Sequence, residues 1–394
     1  MSQSALKHIE HLSVTLGPRG STTEKEKAGH DYVQKTLSDL GLETRSETFL
    51  SSTSAYLPFI LALGLALVAE TLYWFIVGTQ NPAIGALYAF VLIVAILISV
   101  ILELSTLDNP LRWFLPVAPS QNVISIVPAS GEAKRKIAVL AHVDSHRTPW
   151  IWGSRTNFKI YQAVVPLALI SVILLGVMYL VSVFAPNSAL RPLTLIPTAI
   201  VALAWLMVLQ AHNTPFTHGA NDNASGVGVL LSLAEQLKQT PLASTEVHCA
   251  ATGCEEVGAY GSADFVRRHA SEFQNGAIIV LDNIATKDSG PVYLDAEGIL
   301  FPAKYPPEML ALAEKISADR PELGAHPFTQ QGAYTDGYPA LKAGLKTLTF
   351  VGYTKDGWLP NWHNQTDVFA NVDGEAVERT EQFVMEVLKR LDSE

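Results

Sequence analysis

Side chains able to bind metal or move protons fall into five short polar runs: AHVDS (141–145), GANDNASG (219–226), GCEEVG (253–258), IIVLDN (278–283) and NWHNQTD (361–367). Taken singly, each has an ordinary structural explanation. Asp222 stands just ahead of a helical pattern, where an aspartate is usually a cap. Glu255 and Glu256 would read as a solvated face, and a lone loop histidine such as His363 is seldom a ligand. Together, His142, Asp144, Asp222, Glu255, Glu256, Asp282 and His363 make an imidazole and carboxylate group without thiolate, a donor chemistry that suits zinc, with manganese or cobalt as alternatives. A bound metal polarises a carbonyl and supplies a nucleophile near neutral pH, and a nearby carboxylate can carry the proton.

Most of these residues sit where a strand pattern ends. His142 and Asp144 follow the apolar stretch IAVLA, Asp282 ends AIIVL, and the Glu pair follows a strand over 246–251. Thr22 or Thr23 caps a predicted helix running to Leu40, with Gly41 as its stop. A strand is predicted over 43–50, and two more over 122–127 and 136–141 are expected to form a hairpin through ASGE. Helix is expected from 226, over 262–269, 307–318 and 374–391, with strands over 277–281 and 347–351. The fold class is therefore α/β, with a mostly parallel central sheet flanked by helices. In such sheets, loops at the carboxyl ends of the strands gather into one crevice.

Charged residues are only 16% of the 394 and hydrophobic residues 48%, and the imbalance is local. Runs over 56–77, 83–102, 163–184 and 192–209 are each long enough to cross a ~30 Å hydrocarbon core as a helix. They form two hairpins, so a four-helix transmembrane bundle is expected beside the α/β domain, with the lipid bilayer as a partner. The domain reading is one polar domain in segments at 1–54, 107–158 and 212–394, interrupted by hairpins at 55–106 and 159–211. Arg191 alone is basic in the inter-span loops, against Arg112, Arg147, Arg155 and Lys159 on the other flanks, a bias that puts the polar domain in the cytoplasm. Glu70 is the one charged residue inside a span and should face neighbouring helices. A net charge of −10 gives no support for nucleic-acid binding. The first sixteen residues lack the pattern of a signal peptide, and two cysteines do not make a disulfide framework.

In their order and content, AHVDS, GANDNASGVGVLLSLAEQL, GCEEVGAYGSADFV, IIVLDN and NWHNQTD resemble the motif series of the zinc aminopeptidase family M28. The resemblance covers nearly all of the polar chain and neither apolar hairpin. It implies that family's hydrolase-like α/β fold and a site of two Zn²⁺. His142 and Asp282 would hold one ion, Glu256 and His363 the other, and Asp222 would bridge them. Glu255 would be the general base for the attacking water, and Asp144 would orient His142 from behind. The family also implies a cis bond after Asp222. One departure is Gly337, in a segment where the family commonly has histidine, which leaves the substrate-side wall open. Tyr334 would either donate to the oxyanion or simply pack.

The expected protein is a membrane-embedded peptidase, an aminopeptidase acting on short peptides. Because the hairpins interrupt the chain close to His142, the metal crevice is expected to face the bilayer, which favours hydrophobic or membrane-derived peptide substrates. The alternatives are a single-zinc, glutaminyl-cyclase-like acyltransferase and an inactive scaffold. The sequence carries no indication of oligomeric state.

Overall fold

The computed structural model describes residues 2–76, 81–185 and 189–393, and the chain divides into two compact units. The first comprises 1–53, 117–147 and 216–394, and the second 54–116 and 148–215. Val77, the end of the first expected span, lies outside the described residues, as do parts of the loops at 78–82 and 185–191.

The first unit is built on a nine-stranded mixed sheet. Its strands are β1 (Glu43–Ser52), β2 (Val117–Val127), β3 (Arg135–His142), β4 (Thr245–Thr252), β5 (Ala277–Asp282), β6 (Val292–Gly298), β7 (Ala303–Lys304), β8 (His326–Gln331) and β9 (Thr347–Val351). The order is β1-β2-β4-β3-β5-β9-β6-β7, with β8 on β6. The centre, β4-β3-β5-β9, is parallel. From Ile137 to His142, β3 is buried on both faces, as a strand covered by helices on each side requires. The β1-β2 margin is antiparallel, with β2 running against both β1 and β4, and the far margin is mixed, with β6 antiparallel to β9 and β7 but parallel to β8.

This corrects one expectation. The strands around ASGE are not hairpin partners, because β4 enters between them. The turn itself bonds to the approach to β4, with the Ser130 and Gly131 amides donating to the carbonyls of Leu242 and Ala243. The polarity inferred from a hairpin nevertheless survives. Since β2 is antiparallel to β4 and β4 is parallel to β3, β2 still begins at the carboxyl edge of the central strands. At that edge Ser52 pairs with Val117, and Arg147 bridges to Phe216. Both interruptions of this unit therefore leave from the edge that carries His142.

Around the sheet, the helix Glu24–Asp39 starts at Thr23, whose side chain accepts from the Glu26 amide. The helices Gly226–Gln239 and Gly374–Ser393 pack their apolar faces into the largest core cluster. Two elements had no counterpart in the sequence reading: the N-terminal helix Ser2–Glu10 and the β6–β8 margin.

Among the described residues, the second unit contains four helices long and apolar enough to cross a membrane: Leu57–Phe75, Pro82–Leu104, Arg155–Phe184 and Leu190–His212. Its interior is lined by small residues, Ala62, Ala66, Ala69, Ala86 and Ala89, together with Ile93, Leu175 and Tyr179. Large side chains such as Val91, Ile98, Ile170 and Ile173 point outward. Small residues inside and bulky ones outside is the packing polarity of helices in lipid. Glu70 is buried here and accepts from Tyr179 Oη at 2.5 Å, Thr194 Oγ1 at 2.5 Å and Trp74 Nε1 at 2.8 Å.

Candidate metal centre

His142 ends β3, Asp282 ends β5, and the Glu255–Glu256 turn follows β4, so adjacent parallel strands deliver four of the side chains to one edge. His142 Nε2 lies 3.3 Å from Asp222 Oδ1 and 3.6 Å from Asp282 Oδ1. On the other side, His363 Nε2 lies 3.2 Å from Asp222 Oδ2 and 3.3 Å from Glu256 Oε2. The two oxygens of Asp222 thus face two separate imidazoles. Glu255 Oε2 is 4.0 Å from His142 Nε2.

His142 Nδ1 donates to the Asp144 carbonyl at 3.1 Å, which leaves Nε2 as the lone-pair nitrogen, the usual arrangement for a ligating histidine. The Asp144 carboxylate does more than support His142. Its Oδ1 accepts from the Glu255 amide and its Oδ2 from the Glu256 amide and from Ser21. One buried carboxylate therefore fixes the turn that presents both glutamates relative to His142.

In GANDNASG, Asn223 is the residue that caps. Its Oδ1 accepts from the Gly226 amide, and its Nδ2 donates to the Leu281 carbonyl. A Cβ on Gly226 would fall 2.5 Å from both Asn223 Oδ1 and the Leu281 carbonyl, so only glycine fits there. Asn221 Oδ1 accepts from the Ala285 amide. With these neighbours doing the structural work, the Asp222 carboxylate is free to face the histidines. The Asp222–Asn223 peptide is cis.

Four residues outside the original reading hold or join this arrangement. The Asn221 and Asp222 amides donate to the two oxygens of Asp367, at 2.7 and 3.1 Å. Arg19, fully buried, donates to the carbonyls of Leu12, Gly17, Val143, His218 and Gly219, tying both metal-facing runs to the N-terminal segment. Burial lowers its guanidinium to about 10. Asp336 accepts from Thr252 Oγ1, and burial pushes its carboxyl up to about 7. His146 stacks on His363, with ring centroids 3.6 Å apart. Arg19, Asp336 and Asp367 act through contacts to residues distant in sequence, which no spacing reveals. His146 was visible as a second histidine four positions after His142, but it lies outside the motif.

At the substrate-side segment, a Cβ on Gly337 would meet Thr349 Oγ1 at 2.4 Å and Tyr305 Oη at 2.9 Å. The space is filled, so no larger side chain fits at that position. Behind it, buried Glu297 accepts from Tyr305 Oη and the Thr335 amide, and burial pushes its carboxyl up to about 8. The Tyr334 hydroxyl lies 3.7 Å from where a Cβ would sit on Gly258, two residues past Glu256.

The electrostatics ask for positive charge. Burial raises Glu255 and Glu256 well above the usual carboxylate range, and the neighbouring carboxylates add to this. His142 is raised well above its ordinary value: burial opposes this, and Asp144, Asp222 and Asp282 overcome it. His142 Nε2, Asp222 Oδ2 and Glu256 Oε1 are buried without a hydrogen bond. Buried polar atoms are rarely left so, and coordination of metal on the two sides of Asp222 would satisfy them. His142, Asp222 and Asp282 each offer a ligand atom within 4.8 Å of the others, as do His146, Glu256 and His363. The imidazole and carboxylate donors fit zinc.

Comparison with known proteins agrees with this chemistry. The model of peptidase family M28 matches residues 203–388. Aminopeptidase YwaD of Bacillus subtilis is 29% identical over 187 residues, which cover 45% of this chain and 39% of that protein. The chain thus spans well under half of that relative's length. Among solved structures, a zinc aminopeptidase from Bacillus subtilis superposes with a TM-score of 0.58 at 16% identity, covering 99% of this chain and 94% of that one. The glutaminyl cyclase of Porphyromonas gingivalis gives 0.59, also at 16% identity, covering 99% and 98%. At that identity both show the fold. The family match spans 186 (388 − 203 + 1) of the 394 residues, just under half of the chain.

Proposed function

We propose that this protein is a membrane-embedded di-zinc aminopeptidase that removes N-terminal residues from short peptides. The observation that carries the reading is the division of Asp222, with one oxygen toward His142 and the other toward His363. His142 and Asp282 would hold one ion, Glu256 and His363 the other, and Asp222 would bridge. Zinc bound there would polarise the scissile carbonyl and make a coordinated water more acidic. Glu255, whose amide is fixed by Asp144, takes the proton of the attacking water and returns it to the leaving amine. Asp144 holds the tautomer of His142, and Tyr334 donates to the developing oxyanion. Support for aminopeptidase action comes from the names of the Bacillus subtilis relatives.

The four apolar helices support membrane embedding, and the flanking basic residues support a cytoplasmic peptidase unit. Both interruptions of that unit leave from the edge that carries the site, which favours hydrophobic or membrane-derived peptides. A single-zinc cyclase is the second reading, favoured by the cyclase among the structural neighbours. Metal analysis together with aminoacyl hydrolysis and glutaminyl cyclisation assays separates them. Two ions and hydrolysis are expected, with Glu255→Gln lowering kcat by roughly 10²–10⁴ at unchanged metal content. One ion with cyclisation alone favours the second reading. An unaltered rate in the variant removes Glu255 as the base.

A further inference from the structure

We propose that Glu26 is a positioning residue for Glu255, setting the turn that presents the base to the attacking water; this rests on the hydrolytic reading above. Glu26 sits in the first turn of the helix Glu24–Asp39 and is 2% exposed. Its Oε1 accepts from the Cys254 amide at 2.9 Å and from Cys254 Sγ at 3.4 Å. Its Oε2 accepts from the Thr22 amide at 2.7 Å and from Ser120 Oγ at 3.0 Å. Four donors thus converge on one carboxylate. Asp144 takes the next two amides along the chain, those of Glu255 and Glu256. Three successive amides of the GCEEVG run are therefore held by two buried acids.

The backbone explains why the grip is needed. Cys254 has φ +56° and Thr22 has φ +60°, in the left-handed region that residues with a side chain enter at a cost, β-branched ones above all. Such conformations persist where the surroundings over-determine them, and Glu26 accepts from the amides of both. At Gly253 the chain passes so close to this carboxylate that only glycine fits: a Cβ there would fall 2.6 Å from Ser120 Oγ and 2.9 Å from Glu26 Oε1. The two acids are also tied to each other. Ser21 Oγ donates to Asp144 at 2.6 Å, and the next residue, Thr22, gives its amide to Glu26. A purely structural acid in this first turn would serve its own helix, and Thr23 already caps that helix. Without Glu26, Cys254 can relax toward negative φ, and the rotation is delivered to the residue that follows, Glu255. Glu256 lies one peptide further on and keeps its amide on Asp144.

The test measures kcat, KM and bound zinc for the full zinc-loaded chain in detergent, with a chromogenic aminoacyl substrate. Glu26→Ala and Glu26→Gln are compared with wild type, alone and combined with Glu255→Gln. Glu381→Ala removes another buried acid of the same unit, held by Ser232 and Gln236, and calibrates what lost stability does by itself. Glu26→Ala is expected to lower kcat about 10- to 100-fold, as misplacement of a reacting group does, with KM and zinc content unchanged. Glu26→Gln, whose amide oxygen still accepts from Cys254, should fall between Glu26→Ala and wild type. Because Glu26 acts through Glu255, neither variant should lower kcat further in the Glu255→Gln background. Glu381→Ala should lower the melting temperature and leave kcat as in wild type. Wild-type kcat in Glu26→Ala, or a loss that multiplies with that of Glu255→Gln, overturns the inference and leaves Glu255 as the base. Loss of zinc in step with rate overturns it too, since the turn would then serve the metal. If Glu26→Ala does not fold, Glu26→Gln decides on the same criteria. A full rate in Glu255→Gln, or a wild type that hydrolyses nothing, overturns the reading beneath it as well.

Discussion

Each unit of this protein buries carboxylates, and the two handle them in opposite ways. Glu70, in the apolar helical unit, accepts from an indole, a phenol and a hydroxyl. In the peptidase unit, Asp222 and Glu256 each keep a buried oxygen with no hydrogen bond. The nearby guanidinium of Arg19 is spent on five backbone carbonyls. A buried acid whose donors are supplied by its neighbours is a structural element complete in itself. A cluster of acids facing imidazoles, without such donors, is completed by a cation from outside. Burial alone does not distinguish the two; the disposition of the lone pairs does.

Removing the cation should break that contrast most sharply. At metal concentrations about a thousandfold above Kd, binding contributes about 4 kcal/mol. Chelation should therefore lower the melting temperature of the peptidase unit and abolish hydrolysis, while helicity of the apolar unit is retained. Circular dichroism with and without chelator checks this. Next in size, Arg19→Met removes a charged donor from five carbonyls, of which Leu12 and Gly219 keep backbone amide partners, and should destabilise this unit by about 3 kcal/mol. Denaturant titration reads the loss, and metal affinity should fall with it. Glu70→Ala should cost less, about 1–2 kcal/mol, through unpaired hydroxyls. Its effect should be confined to the stability of the helical unit, with zinc affinity unchanged; a fall in zinc affinity would erase the distinction drawn here.

The last effect concerns pH. Glu297 has its folded pKa raised to about 8 by burial, above the ordinary unfolded value of about 4.3. Its contribution to stability is therefore fully present below the unfolded value and is lost as pH rises through about 8. Glu297→Gln should flatten that part of the melting-temperature profile. A mutant profile parallel to wild type would show that the group does not titrate in this window.

Legibility in the sequence followed the range of the interactions involved. The helix beginning after Thr23 and the strands β3, β5 and β9 were readable because caps and continuous apolar runs are local signals. The supposed hairpin at ASGE failed because the strand that separates its arms arrives more than a hundred residues later. The β6 margin was hidden by Asp295 and Glu297, which break the apolar alternation; Glu297 is nevertheless buried against Tyr305. In the centre, the chemistry-bearing side chains were readable by type and order, and the structure brings them to one edge. Asp367 and Arg19 were not, because they grip backbone groups, and every residue has those.

The order of these residues along the chain has a consequence for synthesis. His142 and Asp144 emerge before the second apolar hairpin, Asp222 after it, and His363 close to the end. No chain cut short of His363 owns the complete set of donors. Synthesis must pass that residue, and β3 and the Asp222 loop must come together across the intervening hairpin, before all of them can meet. Occupancy of the centre would in this way record an assembled chain, and an intermediate stalled before His363 would lack part of the site.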